Sequence, residues 1–244
     1  MRNNSDLPSG LWNGERVFLL GGGFSLIEQF NVPYELYREI DQGNVPVKSL
    51  VPYLSDLWDK RVIGINRAYQ LGEWVDAVYF YDCSFYNHHK TLMDQFGGLK
   101  FSTCSRFAGN KSRGVRYIPR DWDGKTGISP KSDQVFFNYS SGGAAVDLAI
   151  KLGAKEIVLV AFDMCNGSNN ETHWHGGYKE KQQAEAQDAR NKGRVYKKKM
   201  PHKRHAKPWR ALFHNAKRYG VEIVNASYTT TINEIPQVNI EEYL

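Results

Sequence analysis

The chain has 244 residues, of which 41% are hydrophobic and 24% charged, figures that fit a packed globular protein and exclude a disordered or low-complexity polymer. Its net charge of +6 is modest but uneven, because basic residues concentrate between Lys179 and Arg218. Three scattered cysteines, Cys83, Cys104 and Cys165, lack the even count and spacing of a disulfide framework or zinc knuckle, so a reducing compartment is expected.

Met1 to Trp12 is polar, carries Pro8 and Gly10, and lacks the apolar core of a secretory signal. No stretch approaches the roughly 20 apolar residues of a membrane span, so a cytoplasmic protein is expected. Arg16 to Leu20 predicts a buried parallel strand, ended by the turn Gly21-Gly22-Gly23, after which Ser25 can cap a helix. Val32 to Asp59 mixes Pro33, Pro46 and Pro52 with apolar residues and predicts loops with one or two short helices. Strands follow at Arg61 to Ile65, ended by Asn66, and at Ala77 to Tyr81, ended by Asp82. A helix is predicted over Phe85 to Phe96 and a strand over Leu99 to Thr103, with Ser105 to Pro130 loop-like. The strongest unit is Ser140-Ser141-Gly142-Gly143, then a helix over Ala144 to Leu152, a Gly153 cap, and a strand over Glu156 to Phe162 ended by Asp163. Pro208 and Gly220 bracket a last helix, which feeds a strand over Val221 to Val224. Strands alternating with helices predict a single Rossmann-like α/β domain with a mostly parallel sheet, helices on both faces, and a basic lid-like insertion at about 166–207.

In such a sheet, ligands bind outside the carboxyl ends of the strands. Here those ends carry Gly21, Gly22, Gly23, Ser25, Asn66, Asp82 and Asp163, and Ser140, Ser141 and Gly142 open a helix at a second small-residue turn. Glycines admit a ligand to the backbone, and helix N-termini offer N–H groups to phosphate. Position 26 is Leu rather than the third Gly of the dinucleotide fingerprint, which favours a mononucleotide over a dinucleotide.

The segments Val17 to Leu26, Val62 to Tyr69 and Ser140 to Met164 resemble, in order and spacing, the bacterial lipooligosaccharide sialyltransferases of glycosyltransferase family 42 and related bacterial and phage proteins of that fold. The resemblance covers most of the predicted sheet and little outside it. It implies a cytidine (CMP-linked) nucleotide sugar as donor, held by Gly21 to Ser25, Asn66, Ser141 and Gly142, with no obligatory metal or other cofactor, and the departures from the family's pattern leave a UDP-linked donor open as well. Gly22 stands where the family's turn has Asn, Cys165 where it has Tyr, and Gly177 in the run His173-Trp-His-Gly-Gly177 where it has its catalytic His.

Transfer of a sugar needs a base for the acceptor hydroxyl, and His173 and His175 are the candidates, being titratable near neutral pH and close in sequence to Asp163. The basic segment, with Lys197, Lys198, Lys199, Arg204 and an aromatic at Trp209, suits a polyanionic acceptor such as DNA, including a modified phage DNA base in a host cytoplasm, or an anionic glycan. A divalent metal stays open at Asp121-Trp122-Asp123, or at His173 and His175 with His202 or His205. Two other readings are a pterin-type pyrophosphokinase using ATP and magnesium on Asp82, Asp121, Asp123 or Asp163, and a non-catalytic nucleotide or nucleic-acid binding module. Oligomeric state is not indicated.

Overall fold

Seven short strands carry the fold: β1 (Arg16–Leu20), β2 (Arg61–Ile65), β3 (Ala77–Phe80), β4 (Leu99–Ser102), β5 (Val115–Tyr117), β6 (Glu156–Val160) and β7 (Glu222–Asn225). The structure, a computed structural model, describes residues 5–176, 186–194 and 202–244. The strands form one all-parallel sheet in the order β5-β4-β3-β2-β1-β6-β7. Among the described residues no helix is long and apolar enough to cross a membrane.

The inner strands are apolar at successive positions because both faces of the sheet are covered. Side chains alternate across the pleat, so Phe18 and Leu20 of β1 join one core while Val17 and Leu19 join the other. The first core holds residues of α1 (Ser25–Gln29), α2 (Tyr34–Gln42) and α3 (Cys83–Gln95). The second holds α4 (Ser141–Leu152) and α5 (Trp209–Arg218). Right-handed crossovers require this division: the chain winds outward from β1 to β5, then returns to β6 on the other side of β1, which changes the face its helices cover. The reversal creates a switch point between β1 and β6, whose five-residue strands pair from Arg16 with Glu156 to Leu20 with Val160.

Local signals account for the element ends. Ser140 Oγ accepts the Gly143 N–H at 3.0 Å, capping α4, and Gly153 closes that helix with φ 104°. Pro208 and Gly220 bracket α5 as the sequence implies. The 105–130 stretch, expected to be loop-like, contains the edge strand β5. Its three residues are too few to show a period. Asp147 holds this stretch against α4: its buried carboxylate accepts the N–H groups of Ser129 at 3.0 Å and Phe136 at 2.8 Å, with Lys151 Nζ 3.1 Å away.

The cysteine reading is corrected. Cys83 and Cys104 form a disulfide with Cα atoms 5.9 Å apart, and Cys165 is free. Neighbouring parallel strands explain the pairing: Cys83 opens α3 just beyond β3, and Cys104 lies just beyond β4, so their register sets them side by side. A bridge of sequence separation 21 is expected to stabilise the oxidised protein by about 3 kcal/mol. Denaturant unfolding of a Cys83→Ser, Cys104→Ser double variant beside wild type checks this; equal stabilities, with three titratable thiols in wild type under oxidising conditions, would refute the pairing.

Candidate active site

The strand ends of β1 and β6 meet at the switch point, and hydrogen bonds lock them together. Gly21 N–H donates to Val160 O and Gly23 N–H to Ala161 O, both at 2.8 Å. Ala161 (φ 59°) and Met164 (φ 54°) both take left-handed backbone conformations, which cost about 1–3 kcal/mol each in a non-glycine residue. That strain brackets Phe162 and Asp163 and turns both toward β1. The tie is completed from beyond β7, where Ser227 Oγ accepts the Phe162 N–H at 2.7 Å and Thr231 N–H donates to Asp163 O at 2.8 Å.

Phe162 joins the two glycine turns. A Cβ on Gly21 would lie 2.9 Å from its ring, and a Cβ on Gly142 would lie 2.6 Å from the same ring. Both positions need hydrogen where a side chain would stand, and the Gly21-Gly22-Gly23 turn is thereby held one ring width from the start of α4. Gly143 is equally confined, its Cβ position lying 2.8 Å from Asn138 Cβ. Ser140 serves as the helix cap, whereas Ser141 is half-buried at the first turn of α4.

Asp163 has a different role from ligand contact. It is buried and accepts the Ser25 N–H at 2.8 Å and the Ser25 hydroxyl at 2.6 Å. Burial pushes its pKa up to about 6 against the opposing pull of these Ser25 bonds. A carboxylate of the protein therefore occupies the N-terminus of α1, where an anionic ligand was expected, and Ser25 is spent on the same contact. Gly23 admits this carboxylate, since its Cβ would fall 2.1 Å from Asp163 Oδ1. Of the turn, Gly22 and Gly23 are half-buried at the surface, and Gly21 and Ser25 lie beneath.

The two histidines stand over Gly22. A Cβ there would be 3.2 Å from His173 Cδ2 and 3.6 Å from His175 Nε2, so an Asn at position 22 would meet the imidazoles. The rings lie 4.9 Å apart, His173 half-buried with Nδ1 2.8 Å from Thr172 Oγ1, and His175 only 3% exposed behind it. Trp174 places both. Fully buried, it donates from Nε1 to Gly21 O at 2.7 Å and from its backbone N–H to Gly22 O at 3.3 Å. The beginning of the 166–207 insertion is thus part of the site's wall and core, and residues 177–185 and 195–201 of the basic stretch expected to form a lid lie outside the described residues. Sequence reading passed over Trp174, whose one signal is a large apolar ring between two histidines in a polar stretch.

The remaining expected residues divide. Asn66, half-buried with φ 51°, ends β2 beside the switch point. Asp82 is exposed beyond β3 and belongs to a second cleft. Trp209 is corrected from acceptor contact to core: it is completely buried, with its ring edge-on to Phe162 at 5.5 Å. The 3.6-residue period of α5 turns it inward. Arg204 is exposed beside His205, and Lys197, Lys198 and Lys199 lie outside the described residues. Asp121 is buried and its oxygens accept Ser129 Oγ at 2.6 Å, Lys131 Nζ at 2.9 Å and the Asp123 N–H at 3.0 Å, so the Asp-x-Asp run is a structural clasp. Among the described residues no group of three or more His, Cys, Asp or Glu side chains is gathered in a way that would hold a metal ion. Compared with protein-family models, curated proteins and solved structures, the chain matches none.

Proposed function

We propose that the protein is a glycosyltransferase that moves a sugar from a nucleotide to an acceptor hydroxyl at the β1/β6 switch point. The observation that carries this reading is the closure of two glycine turns on Phe162 with the half-buried His173 standing over Gly22. Open parallel sheets bind nucleotides at this place, and glycines there leave room for close approach. The first turn of α4 supplies N–H groups and the Ser141 hydroxyl for the donor phosphate, with Gly22, Gly23 and Asn66 along the same rim. Lys207, whose ammonium lies 5.7 Å from the Tyr139 ring next to this turn, adds positive charge.

In this reaction the acceptor oxygen forms a bond to the anomeric carbon as the carbon–oxygen bond to phosphate breaks. The electron pair leaves on the nucleotide phosphate, and His173 takes the acceptor proton. His173 is the better placed of the two histidines because His175 is covered; His175 and Trp174 position it. CMP- and UDP-linked donors both fit this description, and no metal is required by it. The engagement of Asp121 and Asp163 inside the protein weighs against the pyrophosphokinase reading, which needs carboxylates directed at magnesium.

Thermal-shift measurements with CMP, UDP, GDP, ADP and ATP, each with and without magnesium, test the reading. Stabilisation by a pyrimidine nucleotide independent of magnesium is expected, and stabilisation by ATP with magnesium alone would overturn it.

A further inference from the structure

A second cleft, of about 270 Å³, opens on the same rim at the ends of β3, β4 and β5. By the spacing of neighbouring strands it lies roughly 10–20 Å from Gly22. Its central feature is Arg120. The guanidinium is clamped between two aromatic rings, its carbon 3.9 Å from the Trp122 centroid and 4.5 Å from that of Phe137. One terminal nitrogen donates to Tyr81 OH at 3.1 Å. Among the described residues no carboxylate pairs with it, and its Nε is buried without an acceptor.

The backbone of Arg120 is held as firmly. Asp121 N–H donates to Val135 O at 2.9 Å, and the Asp121 clasp fixes the next turn. The Cys83–Cys104 bridge also lines the cleft. A guanidinium fixed against two rings in the lining of a cleft is prepared for charge-assisted hydrogen bonds to an oxyanion, since its side-chain entropy is already lost. The other lining groups suit a hydroxylated ligand: Thr103 and Ser105 offer hydroxyls, and Asp82, the one carboxylate lining the cleft among the described residues, can accept from sugar hydroxyls. Trp122 keeps 75% of its surface exposed, leaving its outer face for stacking on a sugar or base.

We propose that this cleft is a subsite for the phosphate of a sugar phosphate or nucleotide, with Arg120 as the anion contact and Trp122 as the ring contact. The subsite stands independently of the transfer reaction assigned to the switch point. The test uses indole N–H resonances in the full-length protein, assigned with Trp122→Phe and Trp174→Phe. Trp122 reports this cleft, and Trp174, bonded to Gly21, reports the switch point. Titration with ribose 5-phosphate and with thymidine 5′-monophosphate is expected to move the Trp122 signal saturably, inorganic phosphate competing and ribose or thymidine alone having no effect. Arg120→Gln is expected to weaken binding about tenfold or more, and Arg120→Lys, which keeps the charge and loses the fork, to weaken it as well. No saturable shift of Trp122 with either phosphate, or an unchanged affinity in a folded Arg120→Gln protein, would overturn the proposal. A shift of Trp174 alone would leave the switch-point reading standing and remove this one.

Discussion

Replacing His173 by Ala is expected to lower nucleotide release from a CMP- or UDP-linked sugar by roughly 10²–10⁴-fold, the usual contribution of a positioned general base. The loss should appear in kcat, with the dissociation constant for the free nucleotide changed little, because the proposed reaction gives the acceptor proton to the imidazole and sets the nucleotide on the turns below it. Gly22→Ala gives a companion result with an opposite chemical logic. It removes no functional group, yet its Cβ would sit 3.2 Å from His173 Cδ2, so the ring must give way by a few tenths of an ångström. A displacement of that order is expected to cost about tenfold in turnover. His175→Ala acts through packing, since that ring is buried beside Trp174, and it should lower both thermal stability and turnover. Steady-state kinetics of the three variants separate these cases. Wild-type turnover in His173→Ala would remove the residue from the mechanism.

The second large effect is expected where Ser25 meets Asp163. Asp163→Ala leaves a buried N–H and a buried hydroxyl without partners, a loss of about 2–5 kcal/mol. Gly23→Ala should do similar damage by another route, because a Cβ 2.1 Å from Asp163 Oδ1 forces the carboxylate off Ser25. Asp163→Asn discriminates between charge and geometry. The amide keeps a carbonyl for the Ser25 N–H and a donor for its hydroxyl, but it cannot ionise. The native pKa of Asp163 is raised by burial from 3.8 to about 6, so between those values the folded protein holds more protons than the unfolded chain. Stability contributed by this group therefore falls as pH rises from about 4 to about 6 and stays low above that window. Asp147, raised to about 6 by burial, contributes with the same sign. Urea unfolding across this window should show a less negative slope in Asp163→Asn than in wild type, on a background to which Asp147 and Glu28, both raised by burial, contribute with the same sign and His205, lowered by burial to about 4, with the opposite sign. An identical slope in the two proteins would place the titration elsewhere.

These experiments separate what was legible in the chain from what was not. The strand at Arg16 to Leu20, its glycine stop, the Ser140 cap and the Gly153 end could be read directly, since each rests on residues within one turn or one pleat of one another. The polar ends of β1, β2, β3 and β6 could be assigned to one rim because a parallel sheet puts all carboxyl ends together. Strand β5 escaped notice because three residues carry no period, and Trp209 misled because an aromatic among cations reads as a stacking surface until its helix face is known.

The glycine turn shows the division most clearly. By itself the sequence determined that a buried strand ends in three glycines just before Phe24 and Ser25, and that a small-residue helix start recurs at Ser140, since local backbone chemistry settles both. The order of the strands determined everything that turn does. Asp163 lies 138 residues from Ser25 and Trp174 lies 153 from Gly21, yet they touch because the return crossover sets β6 against β1. Local pattern cannot choose between a ligand and a distant side chain as the partner of an open helix end; only the tertiary packing gave that place to a carboxylate and set the histidines over Gly22.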